Sequence, residues 1–125
     1  MEAEAETFAS FQGARPYAIW DGAVARAVHG EQLTVAAVDL EPNVHVPEHR
    51  HVNEQVGFVT RGAVTMTVGG ESRELGVGET YVIPSDIPHA AVAGPEGATV
   101  ADVFAPPRED WEALERLEPR AGAWP

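Results

Sequence analysis

Between Leu33 and Phe104 the chain repeats short runs of apolar residues whose polar positions fall at every second place. That is the two-residue period of an extended strand, not the wider period of a helix. The runs cover residues 33–39, 44–46, 55–60, 63–68, 72–75, 80–83, 90–92 and 99–104, and they are rich in Val, Thr and aromatic side chains. Turn residues separate them: Arg61-Gly62, Gly69-Gly70, Gly76, Gly78, Pro84-Ser85-Asp86 and Gly94-Pro95-Glu96-Gly97. Short strands at such regular intervals predict an antiparallel all-β barrel or sandwich. Only the far end reads as helical. There Pro107-Arg108-Glu109-Asp110 precedes Trp111, Leu114 and Leu117, an apolar stripe suited to lie across the barrel as one short C-terminal helix stopped by Pro119.

The ends carry less pattern. Residues 1–15 alternate Ala and Glu and then loosen through Gly13, which predicts a flexible acidic segment; 16–118 form the β-barrel domain with its helix, and 119–125 a tail. A length of 125 residues suits one domain, and 44% hydrophobic and 22% charged residues suit a folded one. Twenty acidic residues against eight basic ones give a net charge of -12, which argues against nucleic acid and anionic membrane surfaces as partners. No apolar run approaches the ~20 residues of a spanning helix, and the opening Met1-Glu2-Ala3-Glu4-Ala5-Glu6 lacks the basic start of an export signal, so a cytoplasmic location is expected. Exposed edge strands in so small a barrel predict a homodimer.

With no cysteine in the chain, any metal site must be built from nitrogen and oxygen donors. His45, His49 and His51 cluster just before a strand. His49 and His51 stand two apart, so on an extended backbone both imidazoles leave the same face. Gln55 shares that parity and offers an amide oxygen, whereas Glu54 beside it faces the other way. Pro47 interrupts the chain between His45 and His49, which leaves His45 as a loop histidine.

From Asn43 the chain runs through His49, His51 and Gln55 to Gly62, and a second set follows in Gly78, Pro84 and His89. This spacing is similar to the two motifs of the cupin superfamily, over most of the chain from Leu33 to Arg108. The resemblance implies a single-domain jelly roll and one divalent ion (Zn, Ni, Co, Cu, Fe or Mn) held by His49, His51, Gln55 and His89. Three positions depart from the family pattern without disturbing the fold: Asn43 and Asp86 replace glycine but tolerate a left-handed turn, and Ala93 replaces asparagine. Gln55 stands where glutamate is common. Three imidazoles and an amide leave net positive charge on a dication, which suits Lewis-acid chemistry better than an oxidising iron site.

In the run from Val100 to Phe104, Asp102 shares its face with Val100 and Phe104, while Ala101 and Val103 take the other. If that face turns inward, a carboxylate among apolar groups needs a partner, a substrate or a proton, and Arg108 is the nearest basic residue; if it turns outward, Asp102 is solvated and Arg108 is a surface charge near the helix start. The run Asp102-Val103-Phe104-Ala105-Pro106-Pro107-Arg108 resembles the small pectin-degradation cupins, which convert 4,5-unsaturated uronates into linear keto sugars. That resemblance implies a small-molecule substrate, a proton moved by Asp102, a sugar packed on Phe104 and a carboxylate paired with Arg108. Two rival readings are a different cupin enzyme, a dioxygenase or polyketide cyclase, and a non-catalytic module that binds a small molecule through the metal.

Overall fold

The computed structural model describes residues 7–123, so the opening acidic repeat of the predicted N-terminal segment lies outside the described residues. Eight strands follow one another: β1 (Tyr17–Trp20), β2 (Ala23–His29), β3 (Thr34–Leu40), β4 (His45–His49), β5 (Glu54–Val68), β6 (Glu71–Leu75), β7 (Thr80–Ile83) and β8 (His89–Ala105). Every pairing between them is antiparallel. The first half of β5 and the second half of β8 join β1, β2, β3 and β7 in one sheet, and their other halves join β4 and β6 in a second. Two long strands therefore serve both faces of a jelly roll.

They bend from one sheet to the other where their register slips, between Val59 and Arg61 and between Gly62 and Val64. Gly62 and Gly97 both take positive φ at this corner, 72° and 79°, and a Cβ on Gly62 would overlap the Gly97 carbonyl. The pairs Arg61-Gly62 and Gly94 to Gly97, expected to end strands, instead bend continuous ones. Asn43 and Asp86 adopt the left-handed conformation expected of them, with φ of 61° and 62°.

Inward side chains of the two sheets, among them Val38, Leu40, Val59, Val64, Ile83 and Val100, form one apolar core. The strands β1 and β2 go beyond the sequence expectation. They form a hairpin whose turn is Asp21-Gly22, with Trp20 opposite Ala23.

The C-terminal helix is shorter than predicted. It is a single 3-10 turn, Glu109–Ala113, after which Leu114 is already extended. The competing interaction is the open edge of β1: Ala18 N–H donates to the Glu115 carbonyl at 3.0 Å and Leu117 N–H to the Pro16 carbonyl at 2.8 Å. Backbone groups that a helix would have paired internally are satisfied on the sheet edge instead. Trp111 is still buried as the stripe requires, its ring 5.6 Å from Tyr17 and 5.3 Å from Phe104. Among the described residues no helix is long and apolar enough to cross a membrane.

Candidate metal centre

Strand pairing brings the histidines together. On the second sheet β4 lies against β8 with His49 opposite His89, so two imidazoles from distant parts of the chain share one rung of the ladder. His51 follows β4 on the segment leading into β5 and turns toward the same point. The ring centroids stand 4.3 Å apart for His49 and His89, 4.8 Å for His51 and His89 and 5.8 Å for His49 and His51. One ligand nitrogen from each lies within 4.8 Å of the others, close enough for the three to hold a metal ion. His45 is exposed, opposite Val92 on the outer part of β4, and takes no part.

The proton positions follow from the backbone. His49 Nδ1 meets the Pro47 carbonyl at 2.8 Å, His51 Nδ1 the Asn53 carbonyl at 2.9 Å and His89 Nδ1 the Ile87 carbonyl at 2.9 Å. A carbonyl can only accept, so each Nδ1 carries hydrogen and each Nε2 presents a lone pair. His89 Nε2 is buried and has no hydrogen-bond partner. Burial also lowers the His51 pKa and lowers that of His89 to about 4, which keeps both rings neutral and available as donors of lone pairs.

Gln55 completes this arrangement. Its Oε1 stands 3.2 Å from His51 Nε2, and its side chain hydrogen-bonds to the Asp102 carboxylate, to which only the amide NH2 can donate. Two acceptors, the Gln55 oxygen and the His51 lone pair, thus face each other. A cation between them reconciles the pair, so the residues present fit a divalent ion on their own chemistry. Glu54 is exposed on the opposite face of β5.

Asp102 points inward and is buried. Tyr81, a residue the sequence reading did not single out, donates its hydroxyl to Asp102 Oδ1 at 2.5 Å. The two meet across Gly57, which pairs with Tyr81 on β7 and with Asp102 on β8, and a Cβ on Gly57 would overlap both. Burial pushes the Asp102 pKa up to about 6, against the lowering effect of Tyr81, Gln55 and Arg108, and pushes the Tyr81 hydroxyl well above its ordinary range.

Arg108 is held differently from the expectation. Its Nε and Nη2 donate to the two carboxylate oxygens of Asp110 at 3.1 and 3.0 Å, and its guanidinium lies 4.7 Å from the Phe104 ring centre and 4.6 Å from that of Trp111. Burial works to raise the Asp110 pKa, but the Arg108 pair outweighs it and the carboxyl stays below its ordinary value. The cavity that these groups share measures about 300 Å³. One end is polar, with the imidazoles, Gln55, Asp102 and Arg108; the other is aliphatic, with Val38, Leu40, Val64, Met66 and Val100. Trp20 stands at the wall beside His49, with ring centres 5.1 Å apart.

A jelly roll with inward histidines on the strands matching its two motifs defines a cupin, and the family model for the cupin domain matches residues 36–104; the chain belongs to this family. The pectin degradation protein KdgF of Dickeya dadantii is 31% identical over 82 residues, which cover 65% of this chain and 74% of that protein. Among solved structures, an RmlC-like cupin from Shewanella frigidimarina superimposes with a TM-score of 0.80 at 25% identity, over 86% of this chain and 97% of that one. KdgF from a Halomonas species superimposes with a TM-score of 0.73 at 26% identity, over 88% of this chain and 98% of that one.

Proposed function

We propose that the chain is a metal-dependent cupin enzyme in which His49, His51, His89 and Gln55 hold one divalent ion and Asp102 moves a proton on a small substrate. The observation that carries this reading is the joint geometry of three Nε2 lone pairs on one point with a buried, tyrosine-held carboxyl linked to them through Gln55. A bound ion would supply Lewis-acid charge to a substrate oxygen. Asp102, with a pKa of about 6, can both take and return a proton near neutral pH. Tyr81 holds Oδ1 of that carboxyl through its hydroxyl, and the rings of Phe104 and Trp111 hold Arg108 at the cavity wall.

The reaction this reading assigns is linearisation of a 4,5-unsaturated uronate, in keeping with the KdgF relatives. The anomeric hydroxyl loses its proton to Asp102, the bond from the anomeric carbon to the ring oxygen breaks, and a carbonyl forms at the anomeric carbon. The ring oxygen leaves as an enolate, which becomes a ketone when the adjacent alkene carbon takes that proton from Asp102, so no water or redox partner is consumed. Arg108 pairs the substrate carboxylate and Phe104 packs on the sugar carbons. The aliphatic end of the cavity favours a second reading, a smaller oxo acid with an apolar body, treated by the same proton transfer.

The experiment is metal analysis followed by turnover. Metal-loaded protein is expected to speed the loss of conjugated absorbance of an unsaturated uronate monomer, and chelated protein to leave it at the spontaneous rate. Full loading with no acceleration would remove the uronate and leave the oxo acid. Failure to hold any ion would remove the whole proposal. Oxygen uptake by the iron-loaded protein would transfer the reading to a dioxygenase.

A further inference from the structure

The β5–β8 ladder ends with Glu54 opposite Ala105, and one step further along the same register Asn53 meets Pro106. Neither Pro106 nor Pro107 has an N–H with which to continue the ladder, yet the Pro106 carbonyl still needs a donor. The side-chain amide of Asn53 supplies it at 2.5 Å, and shares the Pro107 carbonyl, at 3.3 Å, with the Glu109 N–H. The next residue is Arg108. Its N–H donates to the Thr34 hydroxyl on β3 at 3.0 Å, and His29 Nδ1 stands 2.8 Å from the same hydroxyl. Asn53 and Thr34 are 3% and 0% exposed, so water cannot take over a bond that either of them loses.

The main chain of Asn53 serves a different group, since its carbonyl is the acceptor that sets the His51 ring. One residue thus ties a metal-ligand candidate to the arm that carries Arg108. We infer that Asn53, with Thr34 as its counterpart on β3, is a positioning residue that sets the span between the metal centre and the Arg108 guanidinium. The site then selects substrates whose carboxylate lies that far from the oxygen placed at the ion. This inference rests on the proposed pairing of Arg108 with a substrate carboxylate.

The other contacts of Arg108 do a different job. Asp110 and Trp111 orient the guanidinium, and the Trp111 N–H donates to the Arg108 carbonyl at 3.1 Å, but both residues belong to the turn that Arg108 opens and would travel with it. Asn53 and Thr34 stand on the strand framework instead, Thr34 opposite Phe104 on β8 and Asn53 directly before β5. They fix where the turn starts. The two ends of the span are also close enough to feel each other, for after burial the Arg108 charge is the largest cause of the lowered His51 pKa.

Kinetics of metal-loaded Asn53→Ala on the unsaturated uronate monomer test this. The backbone carbonyl survives the substitution, so metal content and kcat should stay near the parent while KM rises about tenfold, the equivalent of one buried hydrogen bond. In an Arg108→Met background the same change should leave KM where Arg108→Met alone puts it, because no guanidinium remains to be positioned. Thr34→Val should repeat the KM effect, and Thr34→Ser, which keeps the hydroxyl, should restore the parent value; this pair reads the same device from β3 even if truncation of Asn53 unfolds the chain. A packing role alone would lower kcat or metal content as well, or raise KM equally with and without Arg108. Hydrogen exchange gives a readout that needs no turnover: the Arg108 amide should exchange about tenfold faster or more in Asn53→Ala, while that of Val59 in the middle of β5 stays as slow as in the parent. If the parent leaves the uronate untouched, the reaction assigned above fails, and faster exchange at Arg108 still supports the positioning role. Unchanged exchange at Arg108, an unchanged KM in an active protein, or a KM rise that persists without Arg108 would overturn it.

Discussion

Replacement of Asp102 by asparagine should separate stability from activity in opposite directions. The carboxyl rises from 3.8 to about 6 on folding, mainly because it is buried. At ~1.4 kcal/mol per pKa unit this is a cost of about 3 kcal/mol to keep the group ionised in the folded state. The sign follows from proton binding. Below the unfolded pKa both states hold the proton and nothing is lost; between the two pKa values the unfolded chain ionises first and stability falls, until the folded carboxyl also ionises above about 6. The substituted amide cannot ionise, and its oxygen can still accept from Tyr81. In chelated protein, urea unfolding at about pH 4 and about pH 8 should show the variant gaining up to about 3 kcal/mol over the parent at the higher pH and little at the lower. Histidine titration affects both proteins alike and cancels in the comparison. Turnover should fall roughly a hundred- to ten-thousand-fold while the metal content stays unchanged. Equal stability of the two proteins at high pH would refute the buried, desolvated carboxyl on which the proton-transfer reading depends.

Other expectations follow from the same contacts. Asp110→Asn releases the two Arg108 donors now committed to Asp110, so KM for a carboxylate substrate should fall severalfold with little change in kcat. Tyr81→Phe leaves the Asp102 oxygen without its 2.5 Å donor, and the acidic limb of the pH–rate profile should move to higher pH. Gly57→Ala forces a methyl group into Asp102 and Tyr81 and should cost about 1–3 kcal/mol in a denaturant titration, as overpacked cores do. His89→Ala removes a central nitrogen donor, and elemental analysis should show the bound metal lost at concentrations that saturate the parent.

The alternating runs located six of the eight strands, because a half-buried strand writes its parity into the sequence. Parity also separated Gln55 from Glu54 and put Asp102 on one face with Val100 and Phe104, but it did not say whether that face turned inward. What escaped has physical causes. In the hairpin of β1 and β2 every second residue of β2 is alanine, Ala23, Ala25 and Ala27, too small to make a strong apolar alternation, although Asp21-Gly22 at its turn was a usable signal. The joined strands were read as pairs because glycines that bend a strand look like glycines that end one. Tyr81 and Asp110 were missed since their partners depend on strand register and on a local turn, neither of which a one-dimensional pattern encodes; Gly57 within a strand was the one hint of the close approach beside it.

The sharing of β5 and β8 between both sheets has a consequence for how the pocket can work. His89 begins β8, while Asp102 and Phe104 lie near its end; Gln55 sits on β5 beside that end, and Val68 on the other half of β5 pairs with His89. Any widening of the gap between Asp102 and the three imidazoles would have to stretch the long β5–β8 ladder that runs from Glu54 opposite Ala105 to Val68 opposite His89. These cavity groups are therefore held in place by the sheet itself, and little ordering would remain to oppose binding. Variation in what the cavity accepts is left to the parts that are not woven in this way: the β1–β2 hairpin with Trp20, and the single turn that carries Asp110 and Trp111.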